Sequence, residues 1–335
     1  LKLPRTFGKK GGTDMKHSFK GKDVLSVRQF SPDDLEAIFQ NTDLLRSNVE
    51  RGIALNPLAG MVLACVFYEP STRTFSSFVS AMQRLGGSVI PIQNVAYSSV
   101  AKGETFEDTI RTLGLYADAV VLRHNIKGSA RKGAACLNKP LINAGDGIGE
   151  HPTQAFLDAY TIRRRFSDWP WGLTITMLGD LKHGRTIHSL ARLVALYVKS
   201  GHRPRRETPI LRFVAPRELR IPRGLHAELR DANVRFTEHE DLDGVLKGTD
   251  VLYVTRVQKE RFKTDEAYKR VQGSYIITPR TLRKMKKTAI VMHPLPRVGE
   301  ISMDVDRDPR AAYFEQVENG LYVRMALLAM VLGKM

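Results

Sequence analysis

The sequence predicts an α/β protein of two doubly wound domains, each with a parallel sheet, and a cleft between them. Short runs that are apolar at every position, such as residues 61–68, recur with helix-length segments between them. An all-apolar run suits a parallel strand covered on both faces, and intervening helices supply the crossovers. The alternation then restarts after a break at Trp169, Pro170, Trp171 and Gly172, and 335 residues suit two domains of ordinary size.

The elements follow in order. Ser31, Pro32, Asp33 and Asp34 open a helix: a hydroxyl cap, a proline suited to the first turn and two acids at the positive dipole end. It should run to about residue 49. A strand over 61–68 leads to a helix over 74–85, stopped by Gly86 and Gly87. A strand over 89–92, a polar loop and a helix over 105–117 come next. Strands over 119–122 and 141–144 are separated by a short helix. The second half has a helix over 152–166, a strand over 173–178 and a helix over 186–198. Ile187, Leu190, Ala191, Val194 and Val198 form one apolar face of that last helix. Further strands cover 210–214, 251–254 and 290–292, and an apolar helix over 318–332 ends the chain. Residues 199–223, rich in Arg and Pro, read mostly as surface loop around one strand.

Composition narrows the function. Hydrophobic residues make up 42% and charged residues 26%, which is globular rather than disordered. No apolar run reaches the roughly 18 residues that cross a bilayer, so no membrane partner is expected. Two cysteines, Cys65 in a strand and Cys136 in a short helix, are too few for a disulfide framework or zinc cluster. They fit a reducing cytoplasm and read as inert thiols. Trp169 and Trp171 read as packing. Net charge is +17, concentrated in 1–22 and 199–223. Without zinc-finger spacing, an aromatic RNA-binding strand or a basic heptad region, this reads as solvated surface rather than a nucleic-acid partner.

Ligands of open α/β sheets collect at the carboxyl ends of the strands. There, Ser71, Thr72, Arg73 and Thr74 start a helix with three hydroxyls, a guanidinium and free backbone N–H groups. That describes a phosphate site without a glycine loop, where a plain cap needs one hydroxyl. Ser98 and Lys102 lie in a loop beside Gly103, either an anion gate or a solvated turn. Arg123 follows a strand. His151 and Gln154 open a helix and suit a carbonyl oxygen and its amide NH₂. Arg185 and Arg256 with Gln258 follow two further strands. His293, Pro294, Leu295, Pro296 and Arg297 follow the last, and the X-Pro units can aim carbonyl oxygens at a ligand. Arginines at four strand ends suit a substrate with several anionic groups.

The order and content of these motifs resemble the aspartate carbamoyltransferase catalytic chain from about residue 30 to 332. The resemblance implies transfer of the carbamoyl group of carbamoyl phosphate to L-aspartate, a step of pyrimidine synthesis, with no metal or organic cofactor. It implies that Ser71, Thr72, Arg73 and Thr74 hold the phosphate. Thr74, Arg123 and His151 polarise the carbamoyl oxygen. Gln154 and the carbonyls near Pro294 and Leu295 hold its NH₂. Arg185 takes one aspartate carboxylate, and Arg256 with Gln258 the other. Residues matching Ser98 and Lys102 reach a neighbour's site, so a homotrimer with shared sites is implied. The resemblance divides the chain into a basic linker, 1–17, a carbamoyl phosphate domain, 18–150, completed by the C-terminal helix within 315–335, and an aspartate domain, 151–314.

Ornithine carbamoyltransferase shares the phosphate motif. Its pattern has a second Arg where Phe75 stands and His-Cys-Leu-Pro where His293-Pro294-Leu295-Pro296 stands, so aspartate is the expected acceptor. A non-catalytic assembly module with the same fold is the other alternative. The basic linker, the Leu at position 1 and the Arg-rich stretch are similar to the transcarbamoylase domain of multifunctional pyrimidine-synthesis proteins, which implies fusion to carbamoyl phosphate synthetase domains.

Overall fold

A computed structural model describes residues 19–93, 102–201, 207–257, 262, 264–271 and 273–335. The expected linker, Ser98 and Gln258 lie outside the described residues. The first half contains α1 (Pro32–Glu50), β1 (Val62–Phe67), α2 (Thr72–Arg84), β2 (Ser88–Gln93), α3 (Phe106–Tyr116), β3 (Ala119–His124), α4 (Ser129–Ala134) and β4 (Leu141–Asp146). After α5 (Pro152–Arg165), the second half contains β5 (Thr174–Leu178), α6 (Arg185–Lys199), β6 (Ile210–Val214), α7 (Arg223–Asp231), β7 (Arg235–His239) and α8 (Asp243–Leu246). It continues with β8 (Val251–Val254), α9 (Asp265–Lys269), α10 (Pro279–Arg283), β9 (Ile290–Met292) and α11 (Tyr313–Val331).

The strands form two parallel sheets, ordered β2-β1-β3-β4 and β7-β6-β5-β8-β9. Their composition explains their places. β1, β3 and β8 are almost wholly buried and apolar, as central strands must be. β7, with sequence Arg-Phe-Thr-Glu-His, has a single apolar residue and occupies an edge. The sequence reading omitted this strand for that reason: it lacks a continuous apolar run.

Helix starts follow their local chemistry. Ser31 and Asp34 form a reciprocal capping box on α1, with Pro32 in the first turn. α2 starts at Thr72, earlier than expected, and the Ser71 side chain that precedes it makes no capping bond to the helix. α11 also starts earlier than expected, because Ala312 offers no side-chain cap to mark the boundary. Arg123 and His124 are the last residues of β3 rather than following it, and Cys136 lies just past α4. The described residues of the 199–223 stretch hold more regular structure than expected: besides β6 they include the end of α6 and a 3-10 turn at Arg217–Leu219.

α11 returns from the second half to pack on α1, α2 and α5. Its buried face includes Val323, Ala326, Leu327 and Met330. Arg46 of α1 donates to Asn319 at 2.6 Å and pairs with Glu318, which fixes the two helices in register. No helix among the described residues is long and apolar enough to cross a membrane.

At the end of β5, Gly179 has φ +114°, and a Cβ there would lie 2.2 Å from the Thr255 carbonyl oxygen. Only glycine lets the β5 and β8 ends come this close. Gly179→Ala should therefore lower unfolding free energy by about 3 kcal/mol, from strain plus overpacking. Urea denaturation checks this, and an unchanged midpoint would contradict it.

Candidate active site

In each sheet the strand order reverses between the first strand and the crossover strand beside it: β1 next to β3, and β5 next to β8. Loops after such neighbours turn to opposite sides and leave a crevice. The two crevices face each other across one cleft of about 550 Å³. Arg123 at the end of β3 and residues after β1, β4, β5, β8 and β9 line it.

Ser71, Thr72, Arg73 and Thr74 line one end, at the first turn of α2. The Ser71 hydroxyl makes no capping bond, so it and the first backbone N–H groups face the cleft as donors. Thr74 is buried, and Arg73 stands at the exposed edge. Desolvation, then the charge of Arg256 opposite, pulls Arg73 below the ordinary guanidinium value.

Glu69 ties the two halves together. It lies 3.3 Å from Arg123 of β3 and 3.3 Å from Arg185, the first residue of α6. Arg123 also donates to the Ala144 carbonyl at 3.2 Å, and Arg185 to the Gly147 carbonyl at 2.7 Å. Gly145, with φ +117°, lets both guanidiniums approach: a Cβ there would lie 3.2 Å from one and 3.3 Å from the other. Burial first, then neighbouring Arg185, pushes Arg123 down to about 10. Among the described residues its Nε finds no acceptor.

Between the arginines sit neutral groups. His151 is buried at the start of α5, and burial, then Arg123, Arg185 and Arg324, hold its pKa well below the imidazole range. The ring is therefore neutral. The Thr153 hydroxyl lies 3.4 Å from Nδ1, and donation there leaves the ring proton on Nε2. Gln154 donates its NH₂ to Asp158 at 2.9 Å. Asp158 is fully buried, and desolvation outweighs its hydrogen bonds to raise it to about 7.

The turn after β9 is held by His293. Its Nδ1 accepts the Leu295 N–H at 2.8 Å, so the proton sits on Nε2, which donates to Glu300 at 2.7 Å. Burial lowers His293 despite that partner. Leu295 adopts φ +54°, a left-handed backbone rare for a branched residue, and the Leu295–Pro296 bond is cis. Such a backbone persists where surrounding bonds over-determine it.

The cleft thus gathers Ser71, Thr72, Arg73, Thr74, Arg123, His151, Gln154, Arg185, Arg256, Pro294 and Leu295. Lys102 is exposed and does not line its own chain's cleft. Arg297, part of the same sequence motif, turns away to pair with Asp306. Sequence reasoning missed Arg324. It lines the cleft from α11, is 4% exposed, stacks on Phe78 and donates to Ser77 at 3.0 Å. Burial pushes it down to about 10. An arginine inside an otherwise apolar helix was the available signal. Gln316 was missed as well: it accepts the His293 backbone N–H at 2.9 Å.

Two family models match the chain. Residues 22–164 match the aspartate/ornithine carbamoyltransferase carbamoyl-P binding domain, and 171–331 the Asp/Orn binding domain. The multifunctional protein pyr1-3 of Dictyostelium discoideum is 52% identical over 95% of this chain, which spans 14% of that protein. The aspartate carbamoyltransferase catalytic subunit of Thermococcus gammatolerans is 47% identical over 94% of this chain and 99% of its own length. The aspartate transcarbamoylase of Trypanosoma cruzi, solved with carbamoyl aspartate and phosphate, superposes with TM-score 0.86 at 41% identity. That match covers 94% of this chain and 98% of the other. The chain belongs to the aspartate/ornithine carbamoyltransferase family.

Proposed function

We propose that this chain transfers the carbamoyl group of carbamoyl phosphate to the amino group of L-aspartate, giving N-carbamoyl-L-aspartate and phosphate for pyrimidine synthesis in the cytoplasm. One observation carries the reading. Arg73, Arg123, Arg185, Arg256 and Arg324 converge on one cleft in which Glu69 is the sole carboxylate among the described lining residues. Such a cleft suits two polyanionic substrates with a neutral reacting group between them.

Residues 18–150 with the C-terminal helix of 315–335 make up the carbamoyl phosphate half, and 151–314 the aspartate half. Ser71, Thr72, Arg73 and Thr74 hold the phosphate at the head of α2. Thr74, Arg123 and the Nε2–H of neutral His151 polarise the carbamoyl oxygen as it gains charge. The Gln154 oxygen and the Pro294 and Leu295 carbonyls accept from the carbamoyl NH₂. Arg185 takes one aspartate carboxylate, and Arg256 with Gln258 the other. The aspartate nitrogen attacks the carbamoyl carbon, the bond to phosphate oxygen breaks, and phosphate leaves.

The amine must also lose a proton. Burial and three guanidiniums oppose protonation of His151, and both His293 nitrogens are engaged. Glu69 is held by Arg123 and Arg185, which leaves the departing phosphate as the acceptor in this reading. Rate then comes from orientation and donor placement rather than a covalent intermediate.

Lys102, exposed outside its own cleft, and Ser98 complete the site of a neighbouring copy in a homotrimer. Identities of 52% and 51% to multifunctional proteins of Dictyostelium discoideum and Squalus acanthias support a further proposal. In it, this chain is the transcarbamoylase part of a fusion that also makes carbamoyl phosphate.

Labelled carbamoyl phosphate offered separately with aspartate and ornithine tests the reaction. Product should form with aspartate alone; product with ornithine alone would reassign the acceptor side. Arg73→Ala should lower kcat by about 100-fold or more, the cost of losing a charge-assisted donor at the transition state. Its melting temperature should stay that of the parent, and full activity would refute the phosphate assignment. Lys102→Ala and Arg256→Ala should each be inactive. Mixed trimers of the two should recover roughly a third of parental activity, since one site in each such trimer is assembled from intact parts. No recovery in verified mixed trimers would contradict shared sites.

A further inference from the structure

Resting on that reading, we infer that Asp158 is a positioning residue for carbamoyl recognition: its buried carboxylate orients the Gln154 and Gln316 amides so that the cleft presents acceptors, not donors, to the carbamoyl NH₂. Asp158 lies on α5 with no exposed surface. Its Oδ1 accepts the NH₂ groups of Gln154 at 2.9 Å and of Gln316 at 2.6 Å. Its Oδ2 accepts the Tyr253 hydroxyl at 2.7 Å.

The Gln316 amide has no freedom to turn. Its oxygen takes the His293 backbone N–H, which only an acceptor can do, so its nitrogen must face Asp158. Gln154 meets the same oxygen and must also offer its nitrogen. Its own oxygen is thereby left for the cleft, which it lines. The bond from Gln316 to His293 anchors the start of the turn that carries Leu295, whose N–H is held in turn by the His293 ring. One carboxylate therefore governs an amide acceptor on α5 and a carbonyl-bearing turn after β9. A reversed Gln154 amide would set NH₂ against NH₂ and leave buried polar groups unpaired, a penalty larger than the gain from a good bond.

Acetyl phosphate separates orientation from support of the fold. It has methyl in place of the NH₂, so it uses the phosphate and carbonyl-oxygen contacts and not the Gln154 acceptor. Dissociation constants for carbamoyl phosphate and acetyl phosphate are measured by calorimetry without aspartate. The native protein should favour carbamoyl phosphate by about tenfold or more. Asp158→Leu, which removes the shared acceptor, should bring the ratio to within about threefold of unity, chiefly by weakening carbamoyl phosphate. Asp158→Asn should restore the ratio, because its oxygen can face both glutamines while its NH₂ donates to the Tyr253 oxygen. If Asp158→Leu does not fold, Asp158→Ala, which also removes the shared acceptor, serves, and the ratio should fall in the same way. Equal weakening of both ligands, or an unchanged ratio, overturns the inference. A native protein that binds neither ligand and forms no carbamoyl aspartate overturns the underlying reading instead.

Discussion

The structure depends on the mutual repulsion of guanidiniums drawn into one cleft. Five arginines line a space of about 550 Å³, and Glu69 alone among the described lining residues opposes them. Burial lowers Arg73, Arg123 and Arg324, and repulsion adds to it for two of them: Arg256 lowers Arg73, and Arg185 lowers Arg123. The fold withstands this by engaging the guanidiniums: Arg123 with Glu69 and Ala144, Arg185 with Glu69 and Gly147, Arg324 with Ser77 and Gly320. On the proposed function, substrate anions would meet a charge already installed and partly desolvated, and their binding would relieve a repulsion that folding created.

Burial, with the guanidiniums added for His151, sets the character of the neutral groups. A histidine beside three guanidiniums loses its charge, and a neutral ring is what can donate one defined proton to a carbonyl oxygen. Asp158 responds in the opposite sense. Three donors favour its charged form, yet complete burial outweighs them and brings it up to about 7. On the proposed function, carbamoyl recognition sits in a narrow band of neutral and near-neutral groups among the arginines of the cleft.

Much of this was legible in the sequence, and what escaped has physical reasons. Central strands announce themselves as apolar runs because both faces are covered; edge strand β7 does not, since half its side chains meet water. The motifs after β1, β3, β5, β8 and β9 were legible because strand ends aim residues at the crevice, and residue type then states the chemistry. Arg324 and Gln316 were not. They sit on a helix whose apolar residues satisfy a core, and their relation to the cleft arises only when α11 crosses back to α1, α2 and α5. Asp158 escaped for a related reason. One turn beyond Gln154, it reads as an ordinary helix acid until Tyr253 and Gln316 arrive from β8 and α11.

The long-range groups share one task. Local motifs supply charge and donors, which attract anions of many kinds. Selecting a carbamoyl group requires acceptors at a fixed place, and an amide side chain has no intrinsic preference for which end it presents. Direction must come from an oxygen that accepts where the amides meet it, and Oδ1 of the buried Asp158 carboxyl, facing two amide NH₂ groups, is such an oxygen. It must also be reached from separate elements, since Gln154 belongs to α5 and the Leu295 carbonyl to the turn after β9. A single buried carboxylate at the junction of α5, β8 and α11 meets both requirements, which places specificity in the packing between the halves and charge in the loops.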